Sequence, residues 1–484
     1  MKIVNIFLTG MLVLSISSCN DFLDVQPTNY GDPKTSIQTP ADAQVMINGL
    51  MRSMTSVDYY GRNMFMYADA KGGDLTVFSQ GRGLDPLYAF NHSATTNSYS
   101  GFWSQIYNCV LQANNLLEGI DKIEAAAPTT SFNTYKGQAL TARAMMYFDL
   151  VRLYGKSYDD AKTSFGVPNI TKILAYSDQP LRATVEQNYT QILDDLKKAA
   201  PLLPKTKTNG YINYYANLAM QARVYLYMKD YANALKAAEE IINSNVYTPY
   251  SNANWVDSWK TPFGSEAIFE LSIVANENDL TTASLGYYLR RRSHGGSGVL
   301  GNFMASDYYI NRLKQDPNDV RLGILSNDET SSTRLGAVYK YSGSTALSYD
   351  GKTNVTAINI KVIRLSEIYL IAAEAALTID KSKSATYLNV IRKRAPGLLP
   401  ATLLTVTEDM ILDERSKELI GEGHRFFDMI RLNKSITFND EVGSLVISHR
   451  PKTIDRTFAK TILPIPQSEI NANPGLQAQQ NSGY

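Results

Sequence analysis

The sequence predicts an all-α fold, a scaffold of paired helices like those of tetratricopeptide (TPR) repeats that carries long irregular loop insertions. Apolar residues recur at helical spacing along much of the chain, and residues 215–245 match the TPR pattern. Two other segments, 56–100 and 246–360, are instead rich in Gly, Ser, Asn, Asp and Tyr. With 484 residues and a hydrophobic fraction of 44%, the chain can bury a large core, either as two or three domains or as one long helical body.

The helical prediction rests on apolar periodicity and on small residues at a fixed spacing. Three segments outside the TPR match have the periodicity of amphipathic helices: 101–123, 135–154 and 189–203. Ala222 and Ala234 lie twelve positions apart in the predicted TPR pair, and Ala373 and Ala385 repeat that spacing. Small side chains at these positions let two helices approach closely. A single TPR pair cannot bury its own apolar face, so neighbouring pairs must stack.

The two segments that break the helical pattern are interpreted as insertions on one side of the scaffold. Short strand-like runs occur in the longer one, at 267–274 and 337–341. Long loops inside a compact protein are usually functional. The predicted organisation is therefore a single body over residues 41–484, with its ligand-binding residues in the insertions.

The N-terminus has the features of a bacterial lipoprotein signal. A basic start is followed by an apolar run of about 14 residues and then by the sequence ISSC, which ends at Cys19 and resembles a lipobox. We therefore predict a signal peptide over residues 1–18, lipidation of Cys19, and a lipid-anchored, extended tether over residues 19–40. The alternative is an ordinary secretory signal with a chance cysteine. No later apolar run reaches the roughly 18 residues that a span needs, which predicts anchoring to a membrane without crossing it.

The composition restricts the possible functions. The 47 Lys and Arg residues balance the 46 Asp and Glu residues, so the chain lacks the basic surplus that is typical of nucleic-acid binding. Tyrosine is frequent, at 31 residues; its ring suits packing between helices and also the apolar face of a sugar, and packing is the simpler explanation for most of them. Cys109 is the only thiol after Cys19, which excludes an internal disulfide, and its helical pattern predicts a buried small hydrophobe.

Several sequence blocks, in the right order along nearly the whole chain, resemble the SusD-like (RagB/SusD) family. They are CNDFLD at 19–24, WSQIYNCVLQANN at 103–115, the block at 138–155 followed by VP at 167–168, RLSEIYLIAAEA at 364–375, LNVIRKRA at 388–395, ILDERSKELIGEGHRFFDMIR at 411–431 and the closing segment 463–484. The resemblance implies an all-helical body of four TPR-like units. It also implies a non-enzymatic outer-membrane lipoprotein for nutrient uptake, which captures oligosaccharide or polysaccharide and delivers it to a SusC-like TonB-dependent transporter.

The most specific of these blocks also has a plain physical interpretation. Glu422, Arg425, Asp428 and Arg431 follow one another at i, i+3 steps, which would place them on one helical ridge. Such residues pair across helical turns or with neighbouring helices. We therefore interpret them as scaffold ion pairs and not as a ligand site.

The sequence offers no candidate catalytic, metal or cofactor site. A glycoside hydrolase needs two carboxylates on opposite sides of a cleft. Glu414, Glu418 and Glu422 form a ridge, and Asp194 and Asp195 are adjacent and point in different directions. None of the common hydrolase, metalloprotease or phosphate-binding motifs is present, and the four histidines lack metal-ligand spacing. The alternatives to a binding protein are a surface-anchored helical glycoside hydrolase or lyase, and a TPR scaffold that binds only protein.

The candidate ligand-binding residues lie in the two insertions. There, Asp and Arg would hydrogen-bond sugar hydroxyls, and aromatic rings would stack on sugar faces. The predicted set is Asp69, Asp74, Arg82 and Tyr88 in the first insertion, and Tyr287, Tyr288, Arg291 and His294 in the second. Gly73-Asp74 also resembles the family's GD in this loop. The alternative for each aromatic residue is packing within the loops, which we favour for Trp255 and Trp259.

Three consecutive arginines at 290–292 stand beside the histidine and two glycines at 294–296. On a glycine-rich loop they could meet the carboxylates of an acidic sugar. A solvated loop, or contact with the transporter, is the simpler interpretation.

Overall fold

The computed structural model of the chain describes residues 37–79, 85–95, 100–126, 131–274, 283–292, 300–342, 358–443 and 445–484. The predicted signal peptide, the predicted lipidation site Cys19, most of the tether, Arg82 and His294 lie outside the described residues. Across the ranges that are described, we find no helix with the length and apolar character that a membrane span requires.

Helices dominate the described part of the chain, as predicted. In chain order they are α1 (Pro40–Met54), α2 (Asn63–Lys71), α3 (Asp85–Ala89), α4 (Ser100–Ala126), α5 (Asn133–Tyr154), α6 (Tyr158–Ala161), α7 (Val185–Ala199), α8 (Tyr214–Tyr227), α9 (Tyr231–Asn243), α10 (Leu285–Leu289), α11 (Asp307–Leu313), α12 (Leu365–Ala376), α13 (Lys381–Arg392), α14 (Glu408–Leu419), α15 (Arg425–Arg431) and α16 (Gln467–Ala472).

The strands are short and pair in twos. They are β1 (Leu75–Val77), β2 (Ala267–Leu271), β3 (Phe303–Ala305), β4 (Leu325–Asn327), β5 (Leu335–Val338), β6 (Ile360–Arg364), β7 (Ile436–Thr437) and β8 (Thr453–Ile454). The antiparallel pairs are β1 with β3, β2 with β6, β4 with β5, and β7 with β8. Because β6 runs directly into α12, the β2–β6 pair attaches the second insertion to the helical scaffold.

The long helices stack side by side in chain order, which is the TPR-like arrangement. Helix α4 packs on α5, α5 on α7, α7 on α8, α8 on α9, α9 on α12, and α12 on α13. Ala222 and Ala234 are buried on α8 and α9, which pack together, and Ala373 and Ala385 are buried on the packed pair α12 and α13. The predicted spacing of small residues is therefore confirmed as the contact between paired helices.

The predicted helices are confirmed, with ends that differ by a few residues. Helix α7 begins at Val185 instead of residue 189, because the Thr184 side chain caps its N-terminus and Gln187 returns the bond in a capping box. The same motif, made by Thr39 and Asp42, starts α1 at residue 40, close to the predicted start of the body. Local sequence therefore sets both of these helix starts.

The first segment predicted as an insertion contains a buried helix that the sequence pattern did not indicate. Helix α2 lies inside residues 56–100, and all of its residues are buried, Lys71 included. The Lys71 ammonium lies 4.1 Å from the Phe90 ring centroid and 3.1 Å from His92 Nε2. Burial lowers the pKa of Lys71 well below its usual value. A helix that is buried on every side loses the polar face that periodicity would detect.

The predicted helical ridge from Glu422 to Arg431 is wrong for Glu422. Arg425, Asp428 and Arg431 share α15, whereas Glu422 lies in the turn between α14, which ends at Leu419, and α15, which begins at Arg425. Between them, Gly423 has a φ of 80°, and a Cβ at this position would lie 2.8 Å from a ring carbon of Phe65. Only glycine adopts this conformation without strain and leaves this space free.

The residues of the broken ridge nevertheless form scaffold ion pairs, as predicted. Glu422 contacts Arg364 at 2.7 Å, and Arg431 contacts Glu374 at 2.7 Å. All four side chains are buried. The block therefore ties α14 and α15 to β6 and α12, and it offers no charge to a ligand.

Candidate functional site

The two insertions meet at the β1–β3 pair, which places residues far apart in sequence in one layer. Leu75 lies opposite Ala305 in this pair. Directly after β3, the Ser306 hydroxyl donates a 2.8 Å hydrogen bond to the carbonyl of Gly73. Helix α10, also in the second insertion, packs against β3 and so lies beside this strand pair.

Asp74 stands immediately before β1, and only 1% of it is exposed. Its carboxylate accepts a 2.7 Å hydrogen bond from the Ser416 hydroxyl and a charge-assisted bond from Arg312, and Arg425 Nε lies 3.4 Å away. These partners belong to α11, α14 and α15. Asp74 therefore holds three helices to the strand pair, and its oxygens are not accessible to a ligand in this structure.

Asp69, on α2, is also closed off from solvent. Its Oδ2 accepts a 3.3 Å hydrogen bond from the backbone N–H of Gly423, while Oδ1 has no hydrogen-bond partner in the described part of the chain. Burial, together with the charge on Asp74, raises the pKa of Asp69 well above its usual value. The carboxyl therefore favours its protonated form beneath the surface.

Tyr88 is buried between the first insertion and the C-terminal part of the chain. Its hydroxyl donates to Asp440 at 2.7 Å and accepts from Thr76 at 3.3 Å. The Arg450 guanidinium lies 4.7 Å from the ring centroid, and Phe438 packs edge-to-face at 5.5 Å. Burial raises the pKa of Tyr88, and the ring has no free face for stacking on a sugar.

Tyr287 and Tyr288 lie on α10 and are 4% and 7% exposed. The Tyr288 hydroxyl accepts a 3.1 Å hydrogen bond from Arg62, whose guanidinium also lies 4.7 Å from the ring centroid. Arg62 belongs to the first insertion, so this contact joins the two insertions a second time. Both tyrosines pack against the core, and their rings are not available for stacking in this conformation.

The arginines at 290–292 differ in their surroundings. Arg290 is buried, and its guanidinium donates to the carbonyl of Ser342 at 3.4 Å. Arg291 is partly exposed. Arg292 is exposed and donates to the Ser79 hydroxyl at 3.1 Å and to the carbonyl of Leu300 at 3.0 Å. Arg290 is therefore part of the scaffold, while Arg291 and Arg292 lie at the surface.

The residues that remain partly or fully exposed where the insertions meet form a small polar surface with one aromatic ring. The Arg292 guanidinium lies 5.6 Å from the Phe78 ring centroid, and its backbone N–H donates to Glu329. Arginine and carboxylate groups can hydrogen-bond hydroxyls, and the ring offers an apolar face. We refer to this surface as the loop rim, defined by Phe78, Ser79, Arg291, Arg292 and Glu329.

Of the six predicted ligand residues that the structure describes, Arg291 lies on the loop rim, and the other five are buried: Asp69, Asp74, Tyr88, Tyr287 and Tyr288. Sequence reasoning did not single out Arg62 or Phe78. The bonds from Arg62 to Ala283 and from Arg292 to Ser79 span 221 and 213 residues of sequence. No local sequence pattern predicts contacts between residues so far apart in the chain.

The acidic residues weighed as possible catalytic pairs are committed to ion pairs. Glu414 contacts Arg321 at 2.9 Å, and Glu418 contacts Arg364 at 3.3 Å. Burial alone would raise the pKa of Glu418, but the charges of Arg394 and Arg364 lower it to about 2. A carboxylate held in this way cannot serve as a general acid near neutral pH.

The other acidic pair points in two directions, as predicted. Asp195 is buried against Arg143 at 2.7 Å, whereas Asp194 contacts Lys198 at 2.7 Å on the surface. Cys109 is buried, and burial raises its pKa to about 12, which confirms the predicted small hydrophobe. Among the residues that the structure describes, no group of three or more His, Cys, Asp or Glu is arranged to hold a metal ion.

Two family models match the chain, one at each end. The model described as "SusD family" matches residues 324–484. The model described as "Starch-binding associating with outer membrane" matches residues 21–226. A SusD-like protein of Formosa agariphila is 26% identical over 521 residues, covering 98% of each chain.

Solved structures extend the similarity over the whole fold. The crystal structure of a SusD superfamily protein from Bacteroides thetaiotaomicron is 32% identical, with a TM-score of 0.81, and the match covers 92% of this chain and 100% of that one. A laminarin-binding SusD-like protein shares the fold at 21% identity, with a TM-score of 0.69, over 93% of this chain and 100% of that one. From its whole-length similarity at 32% identity, the chain belongs to the SusD superfamily.

Proposed function

We propose that this chain is a lipid-anchored, cell-surface carbohydrate-binding protein. It captures oligosaccharide or polysaccharide at the outer membrane and delivers it to a SusC-like TonB-dependent transporter, without cleaving it. The observation that carries the proposal is the similarity to a SusD superfamily structure over 92% of the chain. The family model that matches residues 21–226 is described as "Starch-binding associating with outer membrane". The laminarin-binding neighbour supports the same ligand class through its shared fold.

We place the ligand surface at the loop rim, because it is the described surface where the two insertions join and polar groups remain exposed. Arg291 and Arg292 would donate to sugar hydroxyls, and Phe78 would supply an apolar face. The five buried residues of the predicted set would stabilise the fold and would not contact the ligand. Arg82 and His294 remain predicted contacts outside the described residues.

Binding is tested by native gel electrophoresis of the purified protein, produced from residue 20 onward, in gels that contain soluble starch or laminarin. We expect retardation by at least one polysaccharide, and weaker retardation of Arg292→Ala. Lys236→Ala is the matched control, because it also removes one exposed positive charge but lies on scaffold helix α9. Unretarded wild-type protein with both polysaccharides contradicts the proposed ligand class, and release of shortened glycan contradicts the absence of catalysis.

Anchoring and partnership are tested in cells. We expect Cys19→Ala to leave the membrane fraction, because acyl chains on Cys19 would supply the anchor. We also expect the detergent-solubilised wild-type lipoprotein to co-purify with a SusC-like transporter. Membrane attachment of Cys19→Ala in cells that lack the transporter argues against lipidation at this residue.

A further inference from the structure

A second open groove lies on helix α4, outside both insertions. It encloses about 810 Å³ and is formed by α4, the segment 168–180, and α16 with the turn that follows it. None of its lining residues belongs to the loop rim. We refer to it as the α4 groove; the residues that matter below are Ser104, Asn108, Lys172, Tyr176 and Glu469.

The wall of the groove is attached to the scaffold by hydrogen bonds from scaffold side chains. Tyr107 donates to the carbonyl of Pro168 at 2.9 Å, and Asn114 donates to the carbonyl of Ile170 at 3.0 Å. The Ile170 carbonyl also accepts from Tyr147 on α5 at 2.7 Å. These bonds hold the start of the segment against α4 and α5, and most of residues 171–179 are exposed.

The exposed groups of the groove are an aromatic ring, neutral polar side chains and charged side chains. Tyr176 is fully exposed, at 109% of the reference value, although a tyrosine ring normally packs. Ser104, Asn108 and Lys172 are exposed, and their side chains make no hydrogen bond to any residue that the structure describes. Free hydroxyl, amide and ammonium groups along a concave wall are ready to bind a partner that is itself rich in hydroxyls.

A carboxyl group and an apolar floor complete the surface. Glu469, on α16, lines the groove together with Trp103, and burial raises the pKa of its carboxyl. Leu111 is 45% exposed on the same face of α4. The charged lining residues are one cation, Lys172, and two acidic residues, Asp178 and Glu469. The groove therefore lacks the positive surplus that phosphate or another polyanion would require.

We infer that the α4 groove binds carbohydrate, as a second contact for the polysaccharide held at the loop rim, with Tyr176 as its stacking platform and Asn108 as a hydroxyl-binding amide. The inference rests on the proposed function. It is favoured over a protein partner because the groove is concave and combines an unpacked ring with uncommitted neutral polar groups. Two contacts on one long chain raise binding through effective concentration, whereas a short oligosaccharide occupies one contact at a time.

The experiment compares long and short ligands on the same variants. Retardation of Tyr176→Ala and Asn108→Ala is measured in gels with soluble starch and with laminarin, and binding of a short oligosaccharide of the retarding polysaccharide is measured by calorimetry. We expect the variants to bind the polysaccharide on the order of 3- to 10-fold more weakly. Calorimetry should detect the loss of one of two weak sites for the oligosaccharide.

The control is Tyr214→Ala, a partly exposed tyrosine on α8, away from the groove. Wild-type protein that neither polysaccharide retards overturns the proposed function and this inference together. Normal retardation of both groove variants, with wild-type protein retarded, overturns the groove alone. If the variants keep normal retardation but lose the co-purifying transporter, the groove is a protein interface and the carbohydrate inference is wrong.

Discussion

The charged core beneath the second insertion and the α4 groove both contain charged and aromatic side chains. They differ in whether those side chains are buried and paired or exposed. In the core, Arg364 contacts Glu266 at 2.9 Å and Glu422 at 2.7 Å, and Lys340 contacts Glu422 at 2.8 Å. Every one of these residues is buried. We call this group, with Glu418, the buried ion network. Its charges satisfy one another, so none is left for a ligand.

The aromatic residues of the two regions differ in the same way. Trp259 is 1% exposed and lies under the Lys340 ammonium, 4.3 Å from its ring centroid. Trp255 is buried and donates to Glu418 at 3.0 Å. Tyr176 in the groove is fully exposed. The preference for packing at the two tryptophans is confirmed, and the comparison teaches that burial and partners, and not residue type, separate a scaffold residue from a candidate ligand residue.

The largest expected effect on the free energy of unfolding comes from lowering the pH, because the buried charged groups are linked to proton uptake on unfolding. Burial lowers the pKa of His424 to about 4, and the charges of Arg223 and His424 lower that of Glu367 to about 2 against the effect of burial. Glu418 is lowered to about 2 in the same way. The unfolded chain therefore takes up protons at a higher pH than the folded chain, so the free energy of unfolding should fall with decreasing pH.

The pH window follows from these values. The histidine contribution should be lost between about pH 6.5 and 4, and the glutamate contributions between about pH 4.5 and 2. Urea unfolding across this range measures the effect. His424→Gln should flatten the curve above pH 4.5, and a stability that is independent of pH from 7 to 3 is incompatible with the buried ion pairs.

Of the proposed substitutions, Arg321→Ala should cause the largest loss in the free energy of unfolding. Arg321 is fully buried and contacts Asp319 at 2.7 Å and Glu414 at 2.9 Å. Its removal leaves two carboxylates buried without their partner, which should lower the free energy of unfolding by about 3–5 kcal/mol. Urea unfolding provides the measurement, with Arg321→Lys expected to lose less. A loss below about 1 kcal/mol would mean that the site rehydrates.

Asp74→Ala tests whether a residue predicted as a ligand acts as scaffold. Because Arg312 and the Ser416 hydroxyl would lose their acceptor, the free energy of unfolding should fall by about 2–3 kcal/mol. Retardation of the folded protein in polysaccharide gels should stay normal. The opposite pattern, unchanged stability with weaker retardation, would return Asp74 to the ligand site and break the comparison.

Tyr176→Ala should have the smallest effect on stability. Its side chain is fully exposed, so the free energy of unfolding should change by no more than about 0.5 kcal/mol. Under the proposed role, retardation by polysaccharide should nevertheless weaken. Urea unfolding and gel retardation of the same sample provide the two measurements, and a loss of stability above about 1 kcal/mol would show that the ring packs in solution.

Much of the scaffold could be predicted from the sequence because its determinants are local. Apolar periodicity gave the long helices, and the twelve-residue spacing of Ala222 and Ala234 gave a helix pair. The start of α7 at Val185 was also encoded locally, since Thr184 and Gln187 form a capping box. The candidate site was harder to predict from the sequence. Six of the eight predicted ligand residues fall in the described part of the chain, and five of those are buried.

The sequence by itself therefore determined the helical repeat, the buried thiol and the family resemblance, since each depends on residues close together in the chain or on a recurring motif. Only the tertiary structure decided which charges are scaffold. The Asp74 carboxylate is bonded to Ser416, which lies 342 residues away, and the turn at Gly423 separates Glu422 from the other residues of the predicted ridge. Tyr176 is exposed in a segment whose start, at Ile170, is held by side chains of α4 and α5. The physical reason is that burial arises from contacts between distant segments, and no local spacing records them.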